Sequence, residues 1–217
     1  MKKVAVILSG CGVYDGSEIY ETVLTLLAIE QNNAHYRCFA PNITQHHVVN
    51  HLTGEVDDSD QRNVLVESAR LARGDIEDIA ELRVNDFDAL ILPGGFGAAK
   101  NLSDFAIKGA DCQVNAQVKA VCQGFSEQNK PAGYICIAPA MLPIIYGGGV
   151  SGTVGRSSST SDMIVTMGLN HCDCEVNDIV VDVANKVVST PAYMLATTIS
   201  EAASGINKLV KKVIELA

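Results

Sequence analysis

An α/β doubly wound fold built on a mostly parallel sheet is predicted by three features of the chain. Short apolar runs at residues 4–8 and 89–92, and a third leading into Cys136, end at Gly- or Pro-bearing turns, the pattern of strands buried on both faces, and residues 36–40, closed by Pro41, look like another strand. Stretches of helical periodicity alternate with these runs, which is the order a parallel sheet with crossover helices requires. The composition agrees: 47 % hydrophobic and 19 % charged residues, with 18 glycines in 217 residues, describe one soluble domain with ample core. The expected organisation is a single domain over 1–217 with a surface insertion near 42–85.

The elements follow in order. Residues 4–8 (VAVIL) form the first strand, since five apolar residues before Ser9 and Gly10 are too few for a signal-peptide core. A helix follows with Ile19, Val23, Leu26 and Leu27 expected on its buried side, and Asp15 with Glu18 three residues on reads as a capping box. Residues 36–40 form the second strand, closed by Pro41. The loop Gly10-x-Gly12-x-x-x-Gly16 imitates a dinucleotide-binding turn. Its glycine spacing is off, however, and the second strand ends in Cys38, Phe39 and Ala40 where an acid should hold the ribose. Those glycines are better explained by close approach of backbone within the site.

Residues 42–85 are polar and broken, and hold His46, His47 and His51. His47 and His51 have the i, i+4 spacing of a metal pair on a helix, but the spacing alone is weak and solvated or capping histidines are the expectation. A helical piece lies near 64–73. Further on come the strand at 89–92, a helix near 115–128, a mobile loop over 147–161, a short helix near 162–167, a hairpin or strand pair over 178–191, and two closing helices at 193–203 and 206–216. Cys172 and Cys174, one residue apart, match no standard zinc pattern and are expected in a strand.

Charge and cysteines bound the function. A net charge of -9 with no Lys/Arg block excludes nucleic acid and anionic membrane as partners, because both demand a basic patch. No run approaches the roughly 18 apolar residues of a membrane span. Seven scattered cysteines, an odd number, read as reduced thiols in a cytoplasmic setting. No metal or cofactor is expected.

Two stretches carry chemistry. Cys136 follows an apolar run and precedes a probable helix start, where unpaired amides and the helix dipole favour a thiolate; taken alone it reads as readily as a buried small hydrophobe. Gly94 and Gly95 turn the chain at the end of the 89–92 strand, where open α/β sheets place ligands. Without side chains they leave amides free to face a developing oxyanion, although Pro93-Gly94 is also a strong plain turn former.

Taken together, residues 4–19 (VAVILSGCGVYDGSEI), 92–102 (LPGGFGAAKNL), 135–140 (ICIAPA) and 188–194 (VSTPAYM) resemble the ElbB group of the PfpI/ThiJ, or amidotransferase-like, superfamily. The resemblance spans nearly the whole chain. It implies a flavodoxin-like three-layer sandwich, a reactive cysteine on a nucleophile elbow, a homodimer, an association with isoprenoid biosynthesis, and a cofactor-independent glyoxalase (lyase) activity on small dicarbonyls such as glyoxal. It assigns the nucleophile to Cys136 and the oxyanion amides to Gly95 and Ile137, with Gly94 beside them. It also places a first-helix glutamate against the thiol, and Glu18 and Glu21 both fit that description. Many relatives carry His directly after the cysteine; this chain has Ile137, and residues 190–194 supply neither the His nor the Glu of an amidotransferase triad. Amide transfer and peptide hydrolysis are therefore disfavoured. The alternative to an enzyme is a stress- or redox-responsive, or isoprenoid-pathway-associated, protein using the same cysteine.

Overall fold

The apolar runs form the centre of a seven-stranded sheet in the computed structural model, which describes residues 1–217. Its strands are β1 (Lys3–Ile7), β2 (His35–Ala40), β3 (Ile76–Asp78), β4 (Ala89–Leu92), β5 (Ala132–Ile135), β8 (Val180–Asp182) and β9 (Val187–Thr190), and β6 (Ser151–Gly152) and β7 (Asn170–His171) form a separate parallel pair. The order is β3-β2-β1-β4-β5-β9-β8, parallel throughout except for the β8/β9 hairpin. Alternation along β1 shows why both faces are buried: Ala5 and Ile7 enter one core with Leu90, Leu92, Phe125 and Tyr134, while Val4 and Val6 enter the other with Ile91, Ile29, Leu209 and Val213. The helices are α1 (Ile19–Gln31), α2 (Val64–Leu71), α3 (Phe96–Lys100), α4 (Phe105–Lys108), α5 (Ala116–Glu127), α6 (Leu142–Tyr146), α7 (Ser159–Thr166) and α8 (Ile199–Leu216). One core holds α5 residues and the other α1 and α8 residues, so the architecture is the expected three-layer, flavodoxin-like sandwich.

Strand order reverses between β1 and β4, and the chain turns at the C-terminal ends of β1, β4 and β5 meet there. Open parallel sheets bind ligands at such a point.

Several local expectations are corrected. Glu18, not Asp15, caps α1, because the helix begins at Ile19. Asp15 is buried in the preceding loop, where its carboxylate accepts the Val49 amide at 2.7 Å. On α1, Leu26 is buried but Ile19, Val23 and Leu27 are exposed; the buried face is Glu21, Thr22, Thr25, Leu26, Ala28 and Ile29. Small residues bring this face close to α8, a contact that a search for large apolar side chains misses. Within the segment expected as an insertion, residues 64–78 supply α2 and the edge strand β3 and so belong to the sandwich. His47 and His51 lie outside any helix, so their spacing forms no common face. Residues 150–155 are not a loose loop: β6 is paired to β7, and Val150, Thr153 and Val154 are buried. Cys172 and Cys174 follow β7 rather than lying within a strand. The two closing helices are one, opened by a Thr198/Glu201 capping box. Gly205 does not break it, because the glycine lies where a Cβ would crowd the Thr190 hydroxyl and the Val176 carbonyl.

Candidate active site

The backbone of the loop after β1 is stitched to that of the turn after β4. The Phe96 amide donates to the Val13 carbonyl at 2.8 Å, Gly97 to Gly16 at 2.9 Å, and Glu18 to Gly94 at 3.0 Å. Gly95 has a φ of 91°, and a Cβ there would overlap the Glu18 nitrogen and the Gly16 carbonyl, so only glycine permits the approach. Three glycine amides of the loop and that of Tyr14 are occupied: Gly10 by the Ser68 hydroxyl, Gly12 by the Ser17 carbonyl, Tyr14 by His51 Nε2 and Gly16 by the Gly12 carbonyl. The glycine amides of the turn thus serve contacts within the protein rather than a dinucleotide phosphate.

Pinning the start of α1 in this way aims two glutamates differently. The Glu18 carboxylate accepts the Glu21 amide at 2.6 Å as the N-cap. Glu21, one turn on, is fully buried; its Oε2 accepts the Gly94 amide at 2.9 Å, its Oε1 accepts the Tyr193 amide at 3.1 Å, and its carboxyl lies beside the Cys136 side chain across Gly94. A Cβ on Gly94 would overlap the Cys136 Cβ and come within 2.7 Å of Glu21 Oε2. Thus Gly94 is a spacer whose amide is committed to Glu21, which leaves Gly95 and Ile137 as the amides directed at the sulfur.

Cys136 itself stands at the end of β5 with a φ of 62°, the left-handed region that costs a non-glycine residue about 1–2 kcal/mol. Its amide donates to the Thr190 carbonyl at 3.0 Å, and Pro139 enters the 3-10 turn Ala138–Met141 just beyond. Strain at this position turns the thiol out of the sheet toward the two glycines.

Electrostatics correct the simple thiolate expectation. Burial, and then the Glu21 charge, push the Cys136 thiol well above its ordinary range, against the Gly95 and Ile137 amides, which pull it down. Burial likewise pushes Glu21 up to about 8, opposed by the Tyr193 amide, and the Glu18 charge adds to the rise. Desolvation of the pair outweighs the amides because neither group has a cation beside it. Below about pH 8 the resting site therefore holds a thiol beside a protonated carboxyl. Burial raises Glu18 too, and its capping amides oppose that rise.

A cavity of about 510 Å³ opens on this centre, lined by Cys136, Gly95, Ile137, Glu18 and Tyr193 among others. Tyr193 went unnoticed in the sequence: it follows Ala192, whose φ is 43°, and that turn after β9 delivers its amide to Glu21. No histidine lines the cavity. His171 instead accepts the Val154 amide beside β7. No group of three or more His, Cys, Asp or Glu side chains is placed to hold a metal ion, and the other buried cysteines have no such partner; burial pushes Cys38 and Cys122 up to about 12.

The chain is 45 % identical over 223 residues to the human mitochondrial glutamine amidotransferase-like class 1 domain-containing protein 3, a match covering 99 % of this chain and 83 % of that one. The chain belongs to this glutamine amidotransferase-like class 1 family, with the ES1 proteins. Within the amidotransferase-like family, a crystal structure of an isoprenoid biosynthesis protein with amidotransferase-like domain from Ehrlichia chaffeensis is 37 % identical, with a TM-score of 0.93 over 100 % of this chain and 99 % of that one. Drosophila melanogaster DJ-1β, 16 % identical with a TM-score of 0.54 over 100 % of this chain and 98 % of that one, shares the fold. No family model matches.

Proposed function

We propose that the protein is a cofactor-independent glyoxalase of the ElbB type, converting glyoxal and related α-oxoaldehydes to 2-hydroxy acids. The observation that carries this reading is the buried Glu21 carboxyl, held by the Gly94 and Tyr193 amides against the Cys136 thiol, where each group shifts the other's protonation. Such a pair lacks the imidazole of an amidotransferase, but it suffices for moving a proton between adjacent carbons.

Glu21 in its carboxylate form takes the thiol proton, and the sulfur attacks one aldehyde carbon. The new oxyanion, facing the Gly95 and Ile137 amides, regains that proton to give a hemithioacetal. The substrate carbon is now bonded to the sulfur that Glu21 touched, so the carboxylate reaches its hydrogen and removes it. Charge moves onto the neighbouring oxygen, the hemithioacetal hydroxyl proton passes to that oxygen, and Glu21 returns its proton to the second carbon as the first carbonyl re-forms. Water hydrolyses the resulting thioester to the 2-hydroxy acid and frees the thiol. Nothing is oxidised or reduced overall.

Steady-state kinetics on glyoxal test this reading. Cys136→Ser and Glu21→Gln should fall to background while Glu18→Gln retains turnover; full activity in Cys136→Ser would end it. A second reading, an isoprenoid-pathway-associated protein without turnover, draws on the name of the Ehrlichia protein and predicts that Cys136→Ala leaves cellular function intact. A homodimer belongs to the proposal as well, supported by the exposed Ile19, Tyr20, Val23 and Leu27 on α1. Seven free cysteines suit a reducing cytoplasm, and they suit equally the mitochondrion named for the human relative.

A further inference from the structure

The cavity at Cys136 is too large and too apolar for glyoxal alone. Its volume of about 510 Å³ lies in the range that encloses ligands of drug size, whereas glyoxal has four non-hydrogen atoms. Eleven of its fifteen lining residues are hydrophobic, and no Lys, Arg or His is among them. Three large side chains on three separate helices, Phe96 of α3, Ile107 of α4 and Met163 of α7, line it while remaining well exposed, an arrangement that leaves apolar surface wet until something covers it. Cations near this rim are engaged elsewhere: Lys100, 5.2 Å over the Phe96 ring, donates to the Tyr14 carbonyl at 2.9 Å, and Lys108 pairs with Asp104 at 2.7 Å. The titratable groups at the centre, Glu18 and the Glu21 behind it, are carboxyls and offer no positive charge to an anion.

The geometry points to an uncharged α-oxoaldehyde bearing an aryl or medium-chain alkyl group as the substrate class, with that group seated against Phe96, Ile107 and Met163. The reacting end rests on the glyoxalase reading above; the attached group rests on the cavity. The anionic 2-hydroxy acid product then leaves a site that holds no cation to retain it.

Two measurements separate these parts. In Cys136→Ser, which cannot form a hemithioacetal, ligand-observed NMR should show acetophenone binding at least tenfold more tightly than acetone, with benzoylformate, its carboxylate-bearing relative, not binding. Equal affinities for acetophenone and acetone, or tight benzoylformate binding, overturn the inference whatever the enzyme does. In the active protein, the ratio of kcat/KM for phenylglyoxal to that for glyoxal should fall at least tenfold in Ala106→Trp, which fills the cavity from an exposed position; taking the ratio against wild type cancels the intrinsic reactivity of the two aldehydes. An unchanged ratio with both substrates turned over overturns the apolar class and leaves the glyoxalase reading standing. Selective acetophenone binding with no dicarbonyl turned over does the reverse: it supports the apolar ligand class and ends the glyoxalase reading.

Discussion

Replacing Glu21 by Gln should change stability in opposite directions at low and high pH. In the folded protein this carboxyl titrates at about 8 against a reference of 4.5. Folding therefore retains a proton that the unfolded chain releases between those values, and stability falls as pH rises through that window. Above pH 8 the full shift, about 3.5 units at 1.36 kcal/mol each, costs about 5 kcal/mol; at pH 5 about 1 kcal/mol of that is already present, so about 4 kcal/mol is lost between pH 5 and pH 9. Gln does not titrate, but it presents an NH₂ where one Glu21 oxygen accepts the Gly94 or the Tyr193 amide, and a buried amide left unpaired costs about 1–3 kcal/mol. Glu21→Gln should thus be less stable than wild type at pH 5 and more stable at pH 9. Urea unfolding of both proteins at the two pH values measures the difference, and thermal melts should move by about 2–4 °C per kcal/mol for a chain of this length. A gap between the two proteins that stays within about 1 kcal/mol from pH 5 to pH 9 would show Glu21 ionised throughout, and with it the protonated thiol-carboxyl pair would fall.

Further outcomes follow from the same geometry. The kcat/KM for glyoxal should rise about tenfold per pH unit and level off above about 8, since the base is the deprotonated carboxyl; a flat profile from pH 6 to 9 contradicts this. Because the Glu18 charge helps to raise Glu21, Glu18→Gln, whose amide oxygen still accepts the Glu21 amide, should shift that inflection to lower pH while turnover is kept. Gly94→Ala should lower stability by about 1–3 kcal/mol and abolish turnover, because its methyl group overlaps the Cys136 Cβ. On the proposed homodimer through α1, Val23→Glu, on its exposed face, should sediment as a monomer where wild type sediments as a dimer; a monomeric wild type contradicts the proposal.

The fold was legible where one signal sufficed. Residues 4–8, 89–92 and 132–135 are short runs without charge, and each maps onto a strand of the central sheet to within a residue or so, because burial on both faces leaves no room for polar alternation; residues 36–40, with Arg37 among them, form a strand buried only over its last three residues. The short edge strand β3 (Ile76–Asp78) was not legible, since three half-buried residues carry no periodicity. The exposed face of α1 misled for a related reason. Ile19, Val23 and Leu27 are exposed while Glu21, Thr22 and Thr25 are buried beside Leu26 and Ile29, so the apolar residues mark no single buried side. Gly205 shows the same limit from the opposite direction: a helix-weakening residue was kept for a close approach that only the tertiary structure contains.

At the site, sequence supplied the members and the structure supplied their electrical state. Cys136, Gly95 and Ile137 could be named from the turn pattern and the resemblance, and both glutamates were in view. What separates the glutamates is one helical turn: Glu18 spends its carboxylate on the Glu21 amide as a cap, and that same cap fixes the orientation in which Glu21 meets Gly94, Tyr193 and the thiol. Tyr193, some 170 residues away in the chain, completes the cradle through its backbone, and a backbone donor leaves no signature in residue type. The helix-end argument for a thiolate failed on magnitude. The turn after Cys136 is a 3-10 segment of four residues, too short for an aligned dipole of consequence, and burial beside a carboxyl works against ionisation. On the proposed glyoxalase reading, a site so arranged keeps the Cys136 thiol protonated until a carbonyl enters. That favours an aldehyde, which accepts the thiol proton on its own oxygen, over an amide, whose leaving nitrogen needs an acid that no histidine here provides.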